Sequence, residues 1–175
     1  MLTLPGKALV LALANFAIIS TVVGSAIAQA SRLKPLSLYW SAQREDNFVT
    51  ATQQGRRDAV SSGYSSIGVE ACILTSQEEG AVPFNLYWSE QRGDNFTAAT
   101  RQGAASARDA GYVFVRTEGY IFPTQQPGTI PIYLYWSEQR GDNFTTPTRE
   151  GIRDSRAAGY VRARIEGYVY PPNRC

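Results

Sequence analysis

An α+β fold made of three tandem β-β-α-β repeats is what the sequence predicts. Laid against itself at an offset of 48 residues, the chain aligns Pro35, Pro83 and Pro131, then Leu-Tyr-Trp-Ser at 38–41, 86–89 and 134–137, without a slip in register. Each aromatic run is followed by a window that ends in Gly-Tyr (63–64, 111–112 and 159–160) and then by a second run rich in aromatic and β-branched residues. Three copies of this length are three supersecondary units that bury their apolar faces against one another, here 35–82, 83–130 and 131–175.

The first element of each unit reads as a strand, because Pro-x-x-Leu-Tyr-Trp-Ser is aromatic and bounded by proline and polar residues. The polar stretch that follows, with glycine at 93 and 141, reads as a hairpin connection into a short Phe-Thr strand, with Asp and Asn holding the turn. Thr52, Thr100 and Thr148 then stand where an N-cap hydroxyl accepts from free helix amides, and Gly63, Gly111 and Gly159 stand where the helix ends in a left-handed residue. Within each window Gly55, Gly103 and Gly151 lie on one small-residue face, which predicts close approach to a bulky neighbour. The last segment, such as Tyr112 to Phe122, reads as one long strand or two short ones broken at glycine.

The terminal copies keep the repeated motifs and carry no polar cap, so the units are expected to close as a pseudo-three-fold ring. A β-trefoil-like arrangement shares the period but has no helix in its units. Cys72 replaces the tyrosine found at 120 and 168, and Cys175 lies just past the last strand, where a ring returns towards the first unit. A Cys72–Cys175 disulfide is the expected clasp.

Residues 1–28 read as a secretory signal: Lys7, an apolar run from Ala8 to Val23, and Ala26-Ile27-Ala28 as the peptidase site. Cleavage after Ala28 leaves residues 29–175 as a single domain, not embedded in a membrane, secreted or periplasmic, in a compartment that permits a disulfide. With 17 basic and 15 acidic residues the net charge of +2 is no footprint for nucleic acid. The lack of histidine removes the commonest general base and zinc ligand, and two cysteines alone cannot complete a zinc site. No metal or cofactor is expected.

The Asp-Asn-Phe-x-Thr run, the helical window ending in Gly-Tyr and the closing Glu-Gly-Tyr-Val/Ile resemble a family of secreted bacterial and fungal repeats of unknown function. Units of that family read Tyr, a short gap, Gly-Asp-His-Phe-Tyr-Thr, a helix and Glu-Gly, and the likeness covers residues 35–175. Asn47, Asn95 and Asn143 stand where the family has histidine. The resemblance implies an extracellular adhesion or binding part with no catalytic residues to carry over.

The candidate ligand residues recur once per unit: Tyr39, Trp40, Arg44, Asp46 and Asn47; Tyr87, Trp88, Arg92, Asp94 and Asn95; Tyr135, Trp136, Arg140, Asp142 and Asn143. An exposed indole is a platform for the apolar face of a sugar, whereas a buried one belongs to the core. Tyr and Trp of each pair point to opposite faces of a strand, so one of the two is the accessible one. Arg-x-Asp-Asn carries the polar chemistry that binds polyols or, with carbonyls, calcium; the plainer reading is a self-stapled turn. Glu70, Glu118 and Glu166 could pair with the aspartates as general acid and base, but three copies of one constellation suit structural contacts better than an active site. The sequence therefore points to a non-catalytic module that binds polysaccharide or cell-surface glycan through repeated sites. The alternative is a structural or protein-interaction module with no small ligand.

Overall fold

A computed structural model describes residues 32–175, and the predicted signal segment lies outside them. The elements are β1 (Leu33–Ser41), β2 (Asp46–Thr50), α1 (Gln53–Ser61), β3 (Ser65–Leu74), β4 (Val82–Ser89), β5 (Asp94–Ala98), α2 (Arg101–Asp109), β6 (Val113–Ile121), β7 (Ile130–Ser137), β8 (Asp142–Thr146), α3 (Arg149–Ala157) and β9 (Val161–Val169). A short 3-10 turn, Pro172–Arg174, follows.

The helices form where the caps direct. Thr52, Thr100 and Thr148 each accept, through the side-chain hydroxyl, from the backbone N–H of Gly55, Gly103 and Gly151 at 3.0, 2.9 and 3.0 Å. Each nine-residue helix stops before a glycine with φ near +82°, the left-handed conformation expected at 63, 111 and 159. The small face approaches not an aromatic ring but a polar step: a Cβ at Gly55 would stand 1.9 Å from Thr50 Oγ1, and one at Gly103 would stand 2.7 Å from Ala98 Cβ and 2.8 Å from Glu166 Oε1.

Each first strand is the centre of an antiparallel trio, β1 between β2 and β3, β4 between β5 and β6, β7 between β8 and β9. The long third segment is one strand and runs through its glycine. The hairpin reading needs one correction. Asp46 and Asn47 are not turn residues: they are the first residues of β2, paired with Ser41 and Trp40, and the same holds at 94–95 and 142–143. The turn itself is the four-residue stretch before them, and its last position is left-handed, with φ +54° at Glu45 and +67° at Gly93 and Gly141. That is why two copies place glycine there.

The trios make a six-stranded sheet, β2-β1-β3-β6-β4-β5, and a three-stranded one, β8-β7-β9. Neither sheet closes on itself, so the expected ring is not formed by continuous strand pairing. The units touch instead through short antiparallel contacts, Leu74 with Tyr120, Phe122 with Tyr168 and Cys72 with Tyr170. Cys72 and Cys175 form the predicted disulfide, which ties the end of the chain to β3. Leu36, Phe84 and Ile132, equivalent at the 48-residue offset, are fully buried in the largest apolar cluster.

Candidate functional site

The strands β2, β5 and β8 pack against one another and bring the three aspartates together. Asp46, Asp94 and Asp142 are buried, and one oxygen from each lies within 4.8 Å of the others. Every aspartate accepts from the phenol of its own repeat, Tyr64, Tyr112 and Tyr160. Each also accepts from an asparagine of a different repeat: Asn95 Nδ2 to Asp46 at 3.1 Å, Asn143 Nδ2 to Asp94 at 2.9 Å, and Asn47 Nδ2 to Asp142 at 3.5 Å. The three pairings run in a cycle.

These carboxyls are held well above the ordinary range, to about 7 for Asp46 and Asp94 and about 8 for Asp142, first by burial and then by one another. Burial and the adjoining aspartate push the three tyrosines up as well. Asp46 Oδ1 and Asp142 Oδ1 have no hydrogen-bond partner among the described residues. Two things can settle three such carboxylates, shared protons or a cation. An all-oxygen set of this kind suits a hard ion such as calcium, one of the two ligand chemistries open to the Arg-x-Asp-Asn element.

The glutamates form a second set with different partners. Glu118 Oε2 accepts from Thr50 Oγ1 at 2.8 Å, Ala51 N at 2.7 Å and Thr52 N at 3.2 Å, at the start of α1 in the preceding repeat. Glu166 Oε2 does the same for α2, with Ala99 N, Thr100 N and Thr100 Oγ1 at 2.9–3.0 Å. Glu70 Oε2 accepts from the hydroxyls of Thr146 and Thr148 at the start of α3. Each carboxylate thus sits at a helix N-terminus, where the orphan amides and the dipole favour an anion. Among the described residues these aspartates and glutamates are engaged in separate clusters, each with its own hydroxyl, amide or phenol partners.

The predicted ligand residues are split by the fold. Tyr39, Tyr87 and Tyr135 are buried in the core, with Tyr135 only 1% exposed. Trp40, Trp88 and Trp136 are half-buried and are the accessible member of each pair. Arg44, Arg92 and Arg140 lie with their guanidinium carbons 5.9–6.0 Å from the ring centroids of Tyr64, Tyr112 and Tyr160. Arg92 also lies 5.7 Å from the ring of Trp136. Tryptophan and arginine meet between repeats: Trp40 and Arg140 line one cleft with Asn47, and Trp88 and Arg44 line another with Asn95.

Sequence reasoning passed over Arg116 and Arg164. Arg116 Nε donates to Glu118 Oε1 at 2.7 Å, and Arg164 Nε donates to Glu166. The signal was present as an Arg-x-Glu spacing shared by two repeats and absent from the first.

These features define an α+β protein of three similar units whose polar residues are shared across the contacts between units. The chain belongs to the family described as a domain of unknown function (DUF5648), which matches residues 24–170. No curated protein and no solved structure matches the chain. Among the described residues no helix is long and apolar enough to cross a membrane.

Proposed function

We propose that this is a secreted, non-catalytic binding module, arranged as a pseudo-three-fold ring, that takes polysaccharide or cell-envelope material in the clefts between its repeats. The single observation that carries the reading is the half-buried tryptophan of each unit, which offers an indole edge beside arginine and, in two clefts, asparagine. An aromatic face suits the apolar side of a sugar ring, and the guanidinium and amide suit its hydroxyls. The ring reading rests on the cyclic order of the aspartate-asparagine pairings and of the three contacts between third strands.

Single shallow sites of this sort bind near the millimolar level, and three on one rigid body raise avidity by about 10²–10⁴ on a polymer. The test is retention of the purified protein on insoluble polysaccharides and wall preparations. Trp88→Ala should weaken retention in part and the triple tryptophan variant should abolish it, with circular dichroism native. Unchanged retention of the folded triple variant would remove the tryptophans from the binding role.

A second reading, a protein-interaction module, is favoured by the exposed apolar residues at the start of the third strands. Val113, Phe114 and Val161 are 63%, 58% and 71% exposed. Mutation of Phe114 to Ser without effect on the partners recovered would count against it.

A further inference from the structure

The three repeats differ most sharply around one carboxylate. At the 48-residue offset Gly68 stands where Arg116 and Arg164 stand, and Pro147 stands where Ala51 and Ala99 stand. Arg116 shows what fills this position. Its Nε donates to Glu118 Oε1 at 2.7 Å, its Nη1 donates to Asp58 Oδ2 at 2.9 Å, and its guanidinium carbon lies 6.0 Å from the centroid of the Phe48 ring. Arg164 repeats the pairing with Glu166 and lies 5.8 Å from the ring of Phe96.

In the first repeat the arginine is missing while its partners remain. Glu70, Asp154 and Phe144 are the counterparts of Glu118, Asp58 and Phe48, and all three line one cavity of about 570 Å³ with Gly68 in its wall. A Cβ built on Gly68 would meet open space. The cavity beside Arg116 measures about 240 Å³, and each residue lining it has its repeat counterpart in the lining of the larger one. The larger volume falls within the range of small-molecule sites, about 300–1,000 Å³.

The vacancy is electrostatic as well as steric. Glu70 is only 7% exposed, and its carboxyl is raised above the ordinary range, first by burial, with Glu150 and Asp154 adding to the effect. Its Oε2 accepts the two threonine hydroxyls, and no described residue donates to its Oε1. Pro147 has no N–H to replace the amide that Ala51 and Ala99 donate to the other glutamates. Asp154 Oδ1 takes Arg153 at 2.9 Å, which leaves Oδ2, the oxygen that binds Arg116 at the equivalent Asp58. Trp40 in the cavity wall adds a flat aromatic surface for a planar cation.

We propose that this cavity binds the guanidinium group of an external ligand, an arginine side chain that is either free or carried by a polypeptide. The ligand occupies the place that Arg116 and Arg164 occupy within the chain: it forks onto Glu70 Oε1 and Asp154 Oδ2 and lies against Phe144. The site occurs once per molecule; it shares its cavity and Trp40 with one of the clefts proposed for glycan, but its contacts on Glu70 and Asp154 do not rest on that reading.

The experiment titrates the purified protein with L-arginine, with Nα-acetyl-L-arginine methylamide and with the matching lysine amide, and follows the indole signals of the three tryptophans by NMR. Saturable binding of an arginine probe with Kd at or below about 1 mM, centred on Trp40, is expected. A tighter fit of the capped amide identifies a polypeptide source, and a tighter fit of L-arginine identifies the free amino acid. Gly68→Arg should abolish binding and raise the melting temperature, because the chain then supplies the missing group. Glu70→Gln, which keeps an acceptor for Thr146 and Thr148, should weaken binding by about tenfold or more and stands in if the arginine variant fails to fold. The proposal is overturned if no probe saturates well above about 1 mM, if the lysine amide binds as well as the arginine amide, or if folded Gly68→Arg binds like the parent.

Discussion

Glu118 accepts a 2.8 Å hydrogen bond from the hydroxyl of Thr50, a residue 68 positions earlier in another repeat. The same carboxylate receives two backbone amides at the start of α1 and the guanidinium of Arg116. Its side chain has no exposed surface. Glu118→Ala removes all of these at once and leaves Arg116 largely buried beside unpaired amides, so a loss of about 3–5 kcal/mol is expected in chemical denaturation. Glu70→Ala should cost less, because Glu70 holds only two hydroxyls and no arginine.

The central aspartates set a pH dependence. Folded values of about 7 to 8 lie above the ordinary carboxylate value, so the folded chain binds protons that the unfolded chain has already lost. Their contribution is full below about pH 4 and is lost as pH rises through about 7 to 8. In metal-free buffer the melting temperature should therefore be lower at about pH 9 than at about pH 5, and Asp142→Asn should flatten the difference. A rise in melting temperature between those two values would contradict this assignment.

Gly103 sits where an added Cβ would stand 2.7 Å from Ala98 Cβ and 2.8 Å from Glu166 Oε1. Leucine is the better helix former, yet Gly103→Leu should destabilise by about 1–3 kcal/mol through overpacking. An unchanged unfolding midpoint would mean that the helix can move away from the Glu166 strand without penalty.

The disulfide joins residues 103 positions apart. Closing a loop of that size removes unfolded-state entropy corresponding to at most about 4.7 kcal/mol, so the Cys72→Ser, Cys175→Ser pair should melt well below the parent. Pro172, which lines the enlarged cavity, has its carbonyl oxygen 3.6 Å from Cys72 Sγ. Thermal scans with and without reductant give the comparison.

Local chemistry was readable from the chain. Threonine and glycine at fixed spacing mark both ends of each helix, and alternation along Leu-Tyr-Trp-Ser correctly makes one ring of each pair the accessible one, which is the tryptophan. The aspartates and glutamates were not readable in the same way. Asp-Asn after a polar stretch has the composition of a turn, and only the meeting of β2, β5 and β8 turns it into a buried cluster. Glu118 and its amide partners are 66 and 67 positions apart, a distance that no periodicity reports. Gly68 was visible as a break in the repeat, but its meaning depends on seeing what Arg116 touches.

The exchange of carboxylates between repeats has a consequence for how the molecule unfolds. In a linear array each unit leans only on its neighbours and stability is nearly a sum of local terms, so unfolding can begin at an end and proceed stepwise. Here α1 is capped from the second repeat, α2 from the third and α3 from the first. Removing any one unit uncaps a helix in another and strands a buried carboxylate in the chain that is left. Cooperativity is therefore written into the side chains: the three units are expected to melt in one transition, and a single repeat or pair of repeats is expected not to fold as a stable fragment.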